Sequence, residues 1–335
     1  MHPPHLAAHR AIGWAPQVQI VRQQPCAETA TGVTSPFSYH IHPGVTTAAL
    51  IAAVLYPVLL AGAWGHRTRR LSGGTGRQPY PFHPALSHLR RRRAVLFYVG
   101  VLSAYLALAW PLGDLARHYS VLAYLGSNSL LVLGSTPLML AGLPRWFFAE
   151  VTRRRLIDSA LKTLTRPIAA TVVFSAAVVS SMLPAVVAVE TTSGIAWAAF
   201  HLALMAAAAV MWVTAFGLLP GLHRLSTYGR VGFLFVQSLL PTFPGIALIF
   251  AKHSFYATFR TGAPAVGLSP LADQQLAGAA IKGLSILVLW TVAAFILAKA
   301  SKDEEQGRDP ESLTWDDVER EFERQKRAVP AEPNA

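Results

Sequence analysis

Charge is what this 335-residue sequence has least of. Only 14% of its residues are Asp, Glu, Lys or Arg, where a soluble domain carries about 25%. With 53% hydrophobic residues and a mean hydropathy of +0.38, the chain is too poor in charge to surround a soluble core of this size. A lipid-facing surface does not need that charged shell. Cysteine is nearly absent as well. Cys26 stands alone, which excludes an intramolecular disulfide, a CxxC redox pair and a multi-thiolate metal site. Acids are missing from every long apolar run. With no paired acids, no nucleophile–base pair and no HExxH motif, an enzyme is not expected.

What is present is apolar length. A helix of about 20 apolar residues spans the hydrocarbon core. Seven runs qualify, at about Gly44–Trp64, Ala94–Leu112, Val121–Leu143, Pro167–Val189, Ile195–Leu219, Val231–Ala251 and Gly278–Ala298. The reading is all-α and polytopic, with seven transmembrane helices. Orientation follows from the basic residues. With the N-terminus outside, residues 65–93, 144–166, 220–230 and 299–335 become cytoplasmic and hold 23 of the 29 lysines and arginines. That bias matches the positive-inside rule and puts the C-terminus in the cytoplasm. The formal charge of +12 is therefore a matter of topology, and no nucleic-acid partner is expected. The run Arg90–Arg93 precedes a span, where it meets anionic lipid at roughly 1 kcal/mol per charge.

Three regions follow. Residues 1–43 form an extracytoplasmic arm, not a conventional signal peptide and expected to be poorly ordered. Its His2, His5, His9, His40 and His42 read as a polar arm; imidazoles in such numbers also suit copper or zinc. Residues 44–298 are the membrane domain. Residues 299–335 form a cytoplasmic tail with a short amphipathic helix at about 313–327, where Trp315, Val318 and Phe322 share a face. Residues 72–84 are a Gly/Pro-rich linker.

Polar residues inside spans are costly and start as functional candidates. Most gather at one depth, the outer leaflet: Asn128, Ser180, Ser181, Met182, His201 and Lys282, with Gln237 deeper. Asp114 and His118 lie above them, as does the run Asp273–Gln275. The layer reads as an outer-leaflet pocket, or as interhelical hydrogen bonding with no ligand. As metal ligands, His201, His118 and Met182 are the candidates at plausible depth, but no span carries HxxxH or HxH.

Several segments together resemble the CtaG-like family of cytochrome c oxidase assembly proteins, the seven-span bacterial type. They are WPLGDLARHYS (Trp110–Ser120), TPLMLAGLPRW (Thr136–Trp146), RP (Arg166–Pro167), HRLSTYGR (His223–Arg230), FY (Phe255–Tyr256) and LSPLADQQLAG (Leu268–Gly278). The resemblance implies a multi-pass protein of the bacterial cell membrane. It would be an accessory or assembly factor for a respiratory haem–copper oxidase, related to copper-centre formation, with an oxidase subunit as partner. It also shows a departure. The family's HxxxH falls on Tyr124 and Asn128, its HxP on Met182 and Pro184, and its HxxEH on Trp197, Phe200 and His201. Asp273–Gln274 is retained, while Lys282 replaces an expected tryptophan. The resemblance thus implies an outer pocket of Asp114, Tyr124, Asn128, Trp197, Asp273, Gln274 and Lys282 with a degenerate metal site, so no cofactor is certain and copper stays open. The alternative is a carrier of small solutes or ions that uses the same polar layer and Lys282.

Overall fold

The computed structural model describes residues 42–71, 84–153, 155–219 and 225–306. The arm before His42 and the tail helix expected at 313–327 lie outside the described residues. Everything described belongs to the unit Pro36–Ala335.

Serine starts several of the helices. Ser120, Ser193, Ser226 and Ser269 each accept the backbone N–H three residues on, at 3.1, 3.0, 3.1 and 3.2 Å. Each thereby satisfies one of the donors that a first turn leaves open. Among the described residues every regular element is helical. The first four are α1 (Pro43–Leu71), α2 (Pro84–Leu108), α3 (Leu112–His118) and α4 (Val121–Ser129). A π-helical segment, Leu130–Ser135, joins α4 to α5 (Thr136–Gly142), which is followed by α6 (Arg145–Val151) and α7 (Arg155–Leu164). Then come α8 (Pro167–Ser180), α9 (Pro184–Thr192), α10 (Gly194–Phe216), α11 (Thr227–Leu239), α12 (Thr242–Ile249) and α13 (Pro270–Glu305).

Five stretches are long and apolar enough to cross a membrane: Arg91–His118, Val121–Gly142, Gly194–Phe216, Thr227–Ile249 and Pro270–Glu305. Counting a bent pair as one span makes six. Two of the seven expected runs differ from a straight span. The described apolar part of the first is shorter, Pro43–Val58. The fourth is broken at both ends. It bends by 82° between α7 and α8, and Pro184 starts α9 as a separate helix because a proline cannot continue the ladder of α8. Around these helices large apolar side chains face outward, among them Ile168, Ile195, Leu202, Phe243 and Phe295. Such a surface suits lipid, and the chain is a membrane protein.

The π segment has a local cause. In the five-residue spacing of a π turn Thr136 N donates to the Leu131 carbonyl, and Pro137 at the start of α5 has no N–H for the Val132 carbonyl. Trp212 Nε1 fills that place at 2.8 Å, while Ser135 Oγ and Thr136 Oγ1 add bonds to the Leu130 (3.2 Å) and Leu131 (2.8 Å) carbonyls. This locks α10 to the middle of the α4–α5 rod. A smaller apolar core around Phe148, Val213 and Leu219 and two larger ones result. One surrounds Tyr124, Trp197, Tyr256, Phe259 and Ile281; the other surrounds Trp212, Phe174, Leu204, Phe233 and Leu289.

Candidate functional site

Polar side chains sit between and within these cores. α4 brings Tyr124 and Asn128 to one face, one turn apart, and both are buried. α10 does the same with Trp197 and His201. Glu190, near the end of α9, is 2% exposed. Asn128 lines a cavity of about 40 Å³ together with Ser129, Ser181, Met182, Gln237 and Ser285, which is room for about three waters.

Few of these groups are satisfied within the protein. Both polar atoms of Asn128, both carboxyl oxygens of Glu190, His201 Nε2 and Gln237 Oε1 lack a hydrogen-bond partner. The other side of each ring or amide is better placed: His201 Nδ1 is 2.8 Å from the Trp197 carbonyl, and Gln237 Nε2 donates to Thr171 Oγ1 at 2.9 Å. The Tyr124 hydroxyl interacts electrostatically with both Glu190 and Asn128, although neither contact has hydrogen-bond geometry. An unsatisfied buried group costs about 1–3 kcal/mol. Four such side chains cost on the order of 4–12 kcal/mol, as much as the whole stability of an ordinary domain. A cost of that size calls for water in the adjoining cavity or for a ligand, and it makes the cluster the candidate site. Burial also pushes the Glu190 carboxyl up to about 7, with the nearby Tyr124 hydroxyl pulling the other way.

The expected site residues separate into two groups. Tyr124, Asn128, Trp197, His201 and Met182 come together. The Trp197 ring lies 6.2 Å from that of Tyr124 and 4.1 Å from that of His201, so the indole packs against both the phenol and the imidazole. Arg117 closes this end, its guanidinium 5.6 Å from the Trp197 ring centre. The Met182 carbonyl accepts from the Tyr256 hydroxyl at 2.6 Å, and burial pushes that hydroxyl's pKa up.

The remaining candidates stand elsewhere. Asp273, fully buried, spends its carboxylate on the start of α4, accepting from Ser120 Oγ (2.6 Å), Val121 N (2.6 Å) and Leu122 N (3.2 Å). Gln274 Oε1 accepts from Phe255 N at 2.7 Å and Gln275 Nε2 donates to the Ala251 carbonyl at 3.1 Å. The acidic-amide motif therefore fastens α13 to neighbouring backbone. Asp114 is 2.5 Å from His42 Nε2, His118 is exposed, and on α13 the cavity is walled by Ile281, Ser285 and Leu289, not by Lys282.

Glu190 escaped the sequence reading because it lies one residue past an apolar run. Its signal was isolation, since it is the one acid between Asp158 and Asp273.

Fold and site together define a helical membrane protein with a buried polar site near one end of its bundle. Residues 79–303, about two thirds of the chain, match the model of the cytochrome c oxidase caa3 assembly factor family, Caa3_CtaG. The chain belongs to that family. Neither the curated proteins nor the solved structures give a match.

A copper centre fits these residues poorly. Cu(I) favours thiolate, thioether and imidazole donors. Here one imidazole, shielded on one side by an indole, and the thioether of Met182 are the donors of that kind, and the other neighbours offer phenol, amide and carboxyl groups. Among the described residues no three of His, Cys, Asp and Glu converge as a metal site would require.

Proposed function

We propose that the protein is an accessory or assembly factor for a respiratory haem–copper oxidase in the bacterial cell membrane, with its N-terminus outside and its C-terminus cytoplasmic. It works without a multi-histidine copper centre. Family membership over residues 79–303 supports the oxidase as client and an oxidase subunit as partner. Trp197, packed against both Tyr124 and His201, carries the second half of the reading. An indole fills the space in which a second imidazole would face the first. What the cluster retains is an unsatisfied set of oxygen and nitrogen groups suited to hydrogen bonding with a client segment or with water. A carrier has less support, because beyond Gln237 the polar layer gives way to the apolar core around Trp212.

The test is oxidase assembly in cells lacking this protein, measured as assembled oxidase and its copper content, alongside Cu(I) affinity of the purified protein. Loss of assembled oxidase, its rescue by the parent and by His201→Ala, and weak Cu(I) binding in both are expected. Tight stoichiometric Cu(I) that disappears with His201→Ala would overturn the copper-independent reading. Copper lost only on deleting residues 2–42 would move metal handling to the histidine arm. Normal oxidase in cells without the protein would remove the client.

A further inference from the structure

The segment ahead of the fourth apolar run was expected to be a basic loop, and it holds a helix with two distinct halves. In α7, RLIDSALKTL, every apolar residue falls on one side: Leu156, Ile157, Ala160, Leu161 and Leu164. The five polar positions, Arg155, Asp158, Ser159, Lys162 and Thr163, occupy the other. Asp158 and Lys162 pair across one turn at 2.6 Å. At one edge of the apolar half Leu161 packs on the cluster of Phe148, Val213 and Leu219. The rest is covered in part or hardly at all by the described residues. Leu156 is 87% exposed, and Ile157 and Leu164 are a little over one third exposed, at 39% and 36%.

Two observations identify what covers it. First, α7 meets α8 at 82°, so when α8 runs along the membrane normal α7 lies close to the membrane plane. The exposed apolar stripe then continues from Leu164 to Ile168 and Val172 on the lipid-facing side of α8. Second, basic residues frame the stripe. Arg153–Arg155 precede it and Arg166 follows it, and Arg153 and Arg166 are exposed. A short helix with one apolar half, one polar half and flanking cations is the form that settles at a headgroup boundary.

We propose that α7 is an in-plane helix whose apolar half docks into the headgroup–acyl boundary of the leaflet that α8 enters, with Arg166, and Arg153 beside its exposed partner Glu150 (3.4 Å), selecting anionic lipid. The helix seats the 82° bend at a fixed depth. It thereby sets the height of α8 and of the Ser180–Pro184 break above it, beside which Met182 lines the polar cavity. The inference does not depend on the client of the protein.

The test is site-directed spin labelling of the full chain in vesicles. Cys26→Ser removes the native thiol, and single cysteines are placed by Leu156→Cys and by Ser159→Cys on the opposite half. Accessibility to oxygen and to a water-soluble nickel chelate is compared in phosphatidylcholine vesicles with and without a quarter of phosphatidylglycerol. Position 156 is expected to favour oxygen several-fold over the chelate, position 159 the reverse, and the contrast to grow with anionic lipid. Equal accessibility at both positions overturns the docking. A contrast indifferent to phosphatidylglycerol overturns the lipid selection. Occlusion of position 156 from both reagents, relieved by deleting residues 307–335, overturns the proposal in favour of the acidic tail as occupant.

Discussion

Replacing Asp273 by asparagine separates a structural role from a ligand-binding one. The carboxylate accepts three hydrogen bonds at the start of α4, two from backbone N–H groups and one from Ser120. Each bond to a charged group is worth about 1.5–3 kcal/mol. Asparagine keeps one acceptor and sets an NH2 against a donor, so the bond on that oxygen is lost outright. The bonds on the other oxygen lose their charge assistance. The helix start also loses its counter-charge, about 0.3–1 kcal/mol. The net destabilisation is about 2–4 kcal/mol, which at 2–4 °C per kcal/mol lowers the melting temperature by roughly 4–16 °C. Ser120→Ala removes one of the three bonds together with its own cap and is expected to cost less, about 1–2 kcal/mol. The assay is thermal unfolding of the purified protein in detergent, with oxidase assembly measured well below the transition. Asp273→Asn is expected to melt early yet still support assembly in the cold. A variant that melts with the parent but assembles no oxidase would refute the cap and return Asp273 to the binding site.

Three further perturbations test other parts of the structure. In the crossing of α12 and α13, a Cβ on Gly278 would stand 2.7 Å from the Gly245 carbonyl oxygen, whereas a Cβ on Gly245 would meet Gly278 at an ordinary 3.6 Å. Gly278→Ala is expected to destabilise by about 1–3 kcal/mol and Gly245→Ala to be neutral, and equal melting temperatures would show that the backbones do not approach this closely. Trp212→Phe leaves the Val132 carbonyl of the π segment without its donor, at a cost of about 1–3 kcal/mol readable in the same melt; an unchanged melt would mean that the π turn does not need the indole. For Glu190 the folded carboxyl sits near 7 and the unfolded one near 4.5. Between those values the folded state keeps a proton that the unfolded state has released, so stability falls as pH rises and levels off above about 7. Glu190→Gln imitates the protonated form and is expected to remove that slope, so parallel melting curves from pH 5 to 8 would rule out a buried acid.

The long apolar runs were legible because lipid imposes one constraint along a whole segment, and the serine caps and prolines marked where helices start. Depth was legible for the same reason: counting residues along the helices put Asn128, Met182 and His201 in one layer, whereas Tyr124 and Trp197 were singled out only by the family resemblance. Partnership was harder to read. Asp273 and Glu190 are both acids buried at helix ends, yet their roles divide on what lies opposite. Asp273 sits three residues inside α13 and meets the open N–H groups of α4, whereas Glu190 meets a phenol and no cation. No spacing within one helix encodes which backbone donors a second helix will present. The same holds for α7. Its two halves were already written in the residues Arg155–Leu164, but the basic count of the surrounding segment drew attention to topology and away from periodicity. Only the bend before Pro167, which turns a continuing rod by 82°, gives that periodicity a surface to face. A polar residue's identity thus indicates that it needs a partner, and the crossing of helices decides whether the partner is backbone, lipid headgroup or something outside the chain. The Glu190 carboxyl, the Asn128 amide and His201 Nε2 are left without a hydrogen bond by the fold, and a search for a contact with the proposed client begins there.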